Sequence, residues 1–194
     1  MTSIARIVGG VPLTLADLER QIWSTLTRAA AQRRHDWSQP TFVTAGVEGP
    51  QARMVVLRDV DVAARRLTLY TDSRATKVAA VRSEPRVSWL FWDHASKTQV
   101  RMAAIARVAP ASAARAAFEL LPVHQWRDYL SRTPPGSPWS FEANRPHDGE
   151  PTQYFCVIET TVHTIDWLKL DRDVHNRARF DYSAGGTIAT WITP

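Results

Sequence analysis

Hydrophobic residues recur at two periods along this chain, and the change of period marks its elements. Leu15, Leu18, Ile22 and Leu26 lie three or four positions apart, the spacing of one helical face. Thr14 precedes them as an N-cap and Asp17 follows in a capping-box position, so a helix is predicted over residues 15–32. Residues 36–40 break it. Alternating or continuously apolar runs then predict strands over 41–45, 53–58, 67–71, 86–92 and 98–108. Gly46 and Gly49-Pro50 mark a turn between the first two. The 53–58 run has an apolar centre between two cationic ends, Arg53 and Arg58.

A short helix is predicted over 75–82, stopped by Pro85. Two further helices, 111–121 and 124–130, lead into the loops 133–138 and 144–151, whose proline, glycine and polar residues exclude regular structure. Residues 111–151 thus read as a helical and loop excursion. Strands resume at 153–170, 178–182 and 187–192, the last after Gly185-Gly186. Strands outnumber helices and hairpins dominate, which predicts one mainly β domain over residues 1–194, an antiparallel barrel with peripheral helices.

Composition narrows the functional classes. The 194 residues are 44% hydrophobic and 22% charged, ordinary values for a globular domain. No apolar run approaches a membrane span, and the first residues lack a leader's basic and apolar segments, so a cytoplasmic protein without membrane attachment is expected. The net charge of +5 is dispersed, with acids interrupting most basic stretches. A small anionic ligand fits this at least as well as nucleic acid, and no nucleic-acid partner is expected. Cys156 is the only cysteine, which excludes an intrachain disulfide and a cysteine-based zinc site; no metal is expected. It falls within an apolar strand and reads as a buried, inert thiol.

The chain carries neither GxGxxG nor GxxxxGK[ST], and no HExxH or GxSxG. A phosphorylated cofactor would therefore be held by side chains. Arg53, Arg58, Arg74, Thr76 and Lys77 offer a guanidinium fork, a point-charge ammonium and a helix start, a combination suited to a dianionic phosphate.

Arg53-Met54-Val55-Val56-Leu57-Arg58, then Tyr70-Thr71, Lys77, Pro85-Arg86-Val87-Ser88 and Gln99-Val100 follow one another in an order and spacing that resemble the pyridoxamine 5'-phosphate oxidase-like family. The resemblance covers about residues 41–108. It implies an FMN-binding split barrel working as a homodimer with flavin at the interface. By position, Arg53 and Lys77 would hold the FMN phosphate, with Tyr70, Thr71 and Thr76 at the same end. Met54, Val55, Val56 and Leu57 would run beside the isoalloxazine ring, and Gln99 would hydrogen-bond it. Trp167 and Arg177, which resemble the family's W…R-L-H-D-R segment, would reach flavin from the partner subunit. Arg58 and His175 would face a small-molecule substrate.

The departures fall on the substrate side. Thr76 replaces the middle arginine of the family's S-R-K, and Arg74 is the nearest substitute. Asp173 stands where the C-terminal segment has its first arginine, and residues 113–121 lack the family's substrate-phosphate set. Pyridoxine or pyridoxamine phosphate is therefore the less favoured substrate. The expected function is an FMN-dependent oxidoreductase acting on an unassigned small molecule. The alternatives are a non-catalytic FMN-binding or sensing dimer and a true pyridoxamine phosphate oxidase, and related split barrels also take haem or deazaflavin.

Overall fold

The computed structural model describes residues 5–141, 146, 149–150, 152–172, 174–182 and 186–194. Part of the predicted 144–151 loop, Asp173 and Gly185 lie outside the described residues. A short hairpin opens the chain, β1 (Arg6–Val8) and β2 (Val11–Leu13). It turns on Gly9 and Gly10, whose φ of +58° and +83° favour glycine. The first helix, α1 (Leu15–Ala31), begins as predicted, with the Asp17 N–H donating to Thr14 Oγ1 at 3.1 Å. It buries Leu18, Ile22, Trp23 and Leu26 against the barrel.

The strands are β3 (Thr41–Thr44), β4 (Gln51–Met54), β5 (Asp59–Asp61), β6 (Arg66–Asp72), β7 (Arg86–Asp93), β8 (Thr98–Val108), β9 (Phe155–Lys169), β10 (Asn176–Asp181) and β11 (Ile188–Ile192). All nine belong to one antiparallel sheet that runs β11-β10-β9-β8-β7-β3-β4, with β6 also paired to β9 and β5 to β6. β9 organises the fold. Its first half lies between β8 and β6, and its second half between β8 and β10. α2 (Thr76–Ser83) follows β6.

The expected 53–58 strand is corrected. Ladder pairing ends at Met54, and residues 55–58 form a crossing segment between two strands. The Val55 N–H donates to Pro40 O and the Leu57 N–H to Ser38 O, whereas the Arg58 N–H donates to Thr68 O on β6. The segment therefore leaves the β3 side and joins β6, closing the barrel that β9, β8 and β7 complete. An apolar centre cannot distinguish a ladder strand from such a crossing, because both bury alternate residues.

Phe42, Trp89, Phe91, Met102, Ile158, Ile165 and Phe180 are fully buried in the interior. The indole N–H of Trp89 donates to Thr160 Oγ1 at 3.0 Å, and that hydroxyl donates on to Leu67 O at 3.0 Å. The excursion begins as predicted with α3 (Ala111–Glu119). The second predicted helix is instead a 3-10 segment, Val123–Tyr129. Phe118 and Tyr129 pack with Phe155 as a smaller aromatic cluster on the barrel's flank.

Candidate functional site

The site residues fall into three groups along β9. The first lies at its start, where Thr71 pairs with Cys156 and Tyr70 with Val157. Arg53 shares its row with Phe42, and its guanidinium donates to Thr44 Oγ1 at 2.8 Å. Lys77, in the first turn of α2, donates from Nζ to buried Thr71 Oγ1 at 2.9 Å. Burial lowers the pKa of Arg53. Burial also lowers that of Lys77, and the neighbouring Arg53 guanidinium adds to the effect, with Asp72 and Cys156 opposing it.

Neither Arg53 nor Lys77 makes a salt bridge among the described residues. The N-cap of α2 is Ala75, which supplies no side-chain acceptor to the helix's first N–H groups. Arg53 and Thr76 line a cleft of about 700 Å³ between the β3–β4 hairpin and α2. Glu48 and Glu84 are also in its lining, and Lys77 is not; an uncapped helix start favours an anion.

Arg74 has another role. It forms a bidentate pair with Asp72, at 3.0 and 2.7 Å, and its guanidinium lies 3.4 Å from the Tyr154 ring centroid. It also donates to the carbonyls of Ser131 and Arg132. Arg74 thus clamps the excursion to the end of β6.

The second group surrounds Arg58. Its Nη1 donates to Gln125 Oε1 at 2.9 Å, its guanidinium lies 5.4 Å from the Tyr70 ring centroid, and its Nε is buried without a partner. Burial pushes up the phenols of Tyr70 and Tyr129, with Arg58 opposing, so both remain donors at neutral pH. Val56, Leu57, Arg58, Tyr70 and Gln125 line a cleft of about 530 Å³.

The third group lies at the far end of β9. Gln99 and Arg177 both pair with Leu168 and share the outer face of the sheet. Arg177 forms a bidentate pair with Asp166 at 3.0 and 2.8 Å, and Arg101 reaches the same carboxylate at 2.6 Å. Burial pushes the Asp166 carboxyl up, but the hydrogen bonds from Arg177 and Arg101 outweigh it, leaving it below the usual value. Trp167 pairs with Val100 and Ala178 on the inner face, buried and 6.4 Å from the ring of Trp191. His175 is exposed just ahead of β10.

One chain does not bring these groups together. Cys156 and Trp167 are eleven residues apart on β9, a separation of about 36 Å in an extended strand at ~3.3 Å per residue. Arg58 and His175 are parted in the same way. Sequence reasoning missed Thr44, Gln125 and Asp166. Thr44 was recoverable from its two-residue offset from Phe42, whereas nothing in the pattern connects Gln125 with Arg58.

A closed antiparallel barrel with a cleft beside a helix start defines the class of the protein: a split β-barrel. Residues 20–110, a little under half of the chain, match the family described as the pyridoxamine 5'-phosphate oxidase FMN-binding domain. Over 101 residues it is 35% identical to the pyridoxine/pyridoxamine 5'-phosphate oxidase of Kineococcus radiotolerans, a match covering 50% of this chain and 44% of that protein. The match thus spans less than half of that relative.

The fold extends further than the sequence similarity. A pyridoxamine 5'-phosphate oxidase-related, FMN-binding protein from Nostoc punctiforme superposes with a TM-score of 0.77 at 19% identity, over 90% of this chain and 97% of its own. PhzG from Burkholderia lata, in complex with tetrahydrophenazine-1-carboxylic acid, gives 0.72 at 16% identity, over 90% and 91%. Among the described residues no helix is long and apolar enough to cross a membrane.

Proposed function

We propose that this chain binds FMN and acts as a flavin-dependent oxidoreductase on a small molecule. The observation that carries the reading is that Arg53 and Lys77 lie close enough to repel each other, with no carboxylate bonded to either among the described residues. Their mutual repulsion and desolvation are relieved when a dianionic phosphate enters, and a guanidinium, an ammonium, the Thr71 and Thr76 hydroxyls and helix N–H groups match its oxygens. When bound, FMN supplies the hydride chemistry, and the protein orients the ring and controls access to it.

The residues beside the ring follow from the crossing segment. The N–H groups of Val55, Leu57 and Arg58 are bonded within the chain. That of exposed Val56 makes no such bond among the described residues, so it is the group in this run open to the ring's polar edge. Gln99 and Arg177, on the outer face, lie too far along β9 to reach the same cofactor, and Trp167, buried on the inner face, supports them from behind. They complete the site from a second copy of the chain, and His175 meets the Arg58 cleft in the same way. Exposed Met54, Val56 and Ile105 supply apolar surface for such a dimer.

Arg58 is engaged by Gln125 in place of a free anion, which favours a substrate without a phosphate and an activity other than vitamin B6 oxidation. The test is reconstitution with FMN, followed by absorbance during anaerobic incubation with NADH, NADPH and a metabolite panel. Bleaching of bound flavin by a member of the panel is the expected result. Tight flavin binding with no reduction by any donor would favour a non-catalytic FMN carrier.

A further inference from the structure

The Arg58 cleft, about 530 Å³, is within the roughly 300–1,000 Å³ of small-molecule sites. Gln125 stands in its wall, on the 3-10 segment of the excursion, and is only 8% exposed. Its Oε1 accepts from Arg58 Nη1 at 2.9 Å. That bond fixes the amide, because Nε2 turned toward the guanidinium would set donor against donor. Nε2 is therefore held on the other side of the amide, where it makes no hydrogen bond among the described residues. It is not sealed from solvent as Arg58 Nε is, so it opens on the cleft.

The groups around it share its chemistry. The Tyr70 hydroxyl makes no hydrogen bond among the described residues, and burial keeps the phenol protonated, so the lining holds a second neutral donor. Arg58 supplies the charge, and no carboxylate pairs with it among the described residues. Asp128 is the one acid in the lining, exposed at the rim with Arg33 and His124. Val56, Leu121 and Pro122 add apolar wall. The inner cleft therefore offers one cation and two neutral donors, and its ligand must bring the acceptors. A carboxylate spreads a single charge over two oxygens, each able to accept more than one bond, and matches that set. A phosphate dianion calls for more positive charge than one guanidinium already shared with an amide.

We propose that Gln125 sets the specificity of this cleft, orienting Arg58 through Oε1 and donating from Nε2. The cleft then takes a small organic monocarboxylate, with its carboxylate on Arg58 and Gln125 and its carbon skeleton along Val56 and Pro122. That this acid is the substrate transformed at the ring rests on the flavin reading; its binding does not.

The test is isothermal titration with benzoate, benzyl alcohol and phenyl phosphate, three head groups on one ring. It uses the wild-type chain and the Arg53→Ala/Lys77→Ala double variant, in which those two cations cannot hold the phosphate probe. In both, saturable binding of benzoate is expected, with the alcohol at least about tenfold weaker for want of a charge-assisted hydrogen bond. In the double variant phenyl phosphate should bind no more tightly than benzoate. Gln125→Glu, close in shape, turns the Arg58 contact into an ion pair and should abolish benzoate binding. Gln125→Ala should weaken it by about three- to tenfold, the effect of one neutral donor. Circular dichroism of each variant confirms that the fold is retained. Three results would overturn the proposal: no saturation by benzoate; unchanged benzoate affinity in Gln125→Glu; or phenyl phosphate tighter by about tenfold or more in the double variant. Benzoate binding of the expected kind in a chain that holds no FMN would remove the flavin reading and leave the acid site standing. Tight FMN binding without benzoate saturation would do the reverse.

Discussion

Single polar groups inside this barrel are held by bonds that can be removed one at a time. Thr160 accepts from the Trp89 indole and donates to Leu67 O in a fully buried chain. Thr160→Val keeps the shape but strands both partners, so urea unfolding should show a loss of roughly 1–3 kcal/mol. A change within a few tenths would show that the bonds are not limiting. Asp166 provides a pH-dependent case. Its folded pKa is lowered, so its contribution is present above the ordinary carboxyl range of about 4 and is lost as pH falls through the folded value. Asp166→Asn should therefore lower the melting temperature at neutral pH, and the gap from wild type should close as pH falls below about 4. A gap independent of pH would mean that the carboxylate's charge contributes nothing.

At the scale of elements, much was legible in the sequence, and the reasons are local. Thr14 and the Leu15–Leu26 spacing located the start of α1 because capping and helical periodicity are properties of neighbouring residues. The β7, β8 and β9 runs are long enough for side-chain period alone to identify them. The N-terminal hairpin was missed although Gly9-Gly10 sits between apolar pairs, because strands of three residues carry little periodic signal. Residues 55–58 were misread because barrel closure is a long-range property, expressed only when Arg58 meets Thr68. Arg74 belongs to the same class, since its grip on Ser131 and Arg132 joins segments distant in sequence. Arg74→Ala should raise amide hydrogen exchange in residues 123–133 and leave α1 protected. Unchanged exchange there would assign the anchoring of the excursion to the Phe118–Tyr129–Phe155 cluster alone.

At the scale of the whole molecule, β9 separates the two groups of residues proposed to hold flavin, so the proposed site needs a second copy of the chain to join them. The resemblance gave the identities of Arg53, Lys77, Gln99, Trp167 and Arg177, but only the register of β9 shows that they stand at its two ends. Subunit complementation follows from this. Arg53→Ala/Lys77→Ala chains and Arg177→Ala chains, each poor in flavin alone, should regain about a quarter of the wild-type flavin content when refolded together in equal amounts, because about half of the dimers are mixed and one of the two sites in each is intact. No recovery would confine the site to one chain.

The central claim is that Arg53 and Lys77 hold a flavin phosphate, and the most direct measurement is fluorescence titration with FMN and with riboflavin, which lacks the phosphate. Wild-type protein should prefer FMN strongly, and Arg53→Ala/Lys77→Ala should weaken FMN by about a hundredfold or more while leaving riboflavin nearly unchanged, two charge-assisted contacts being lost. Equal FMN affinity in wild type and double variant would contradict it.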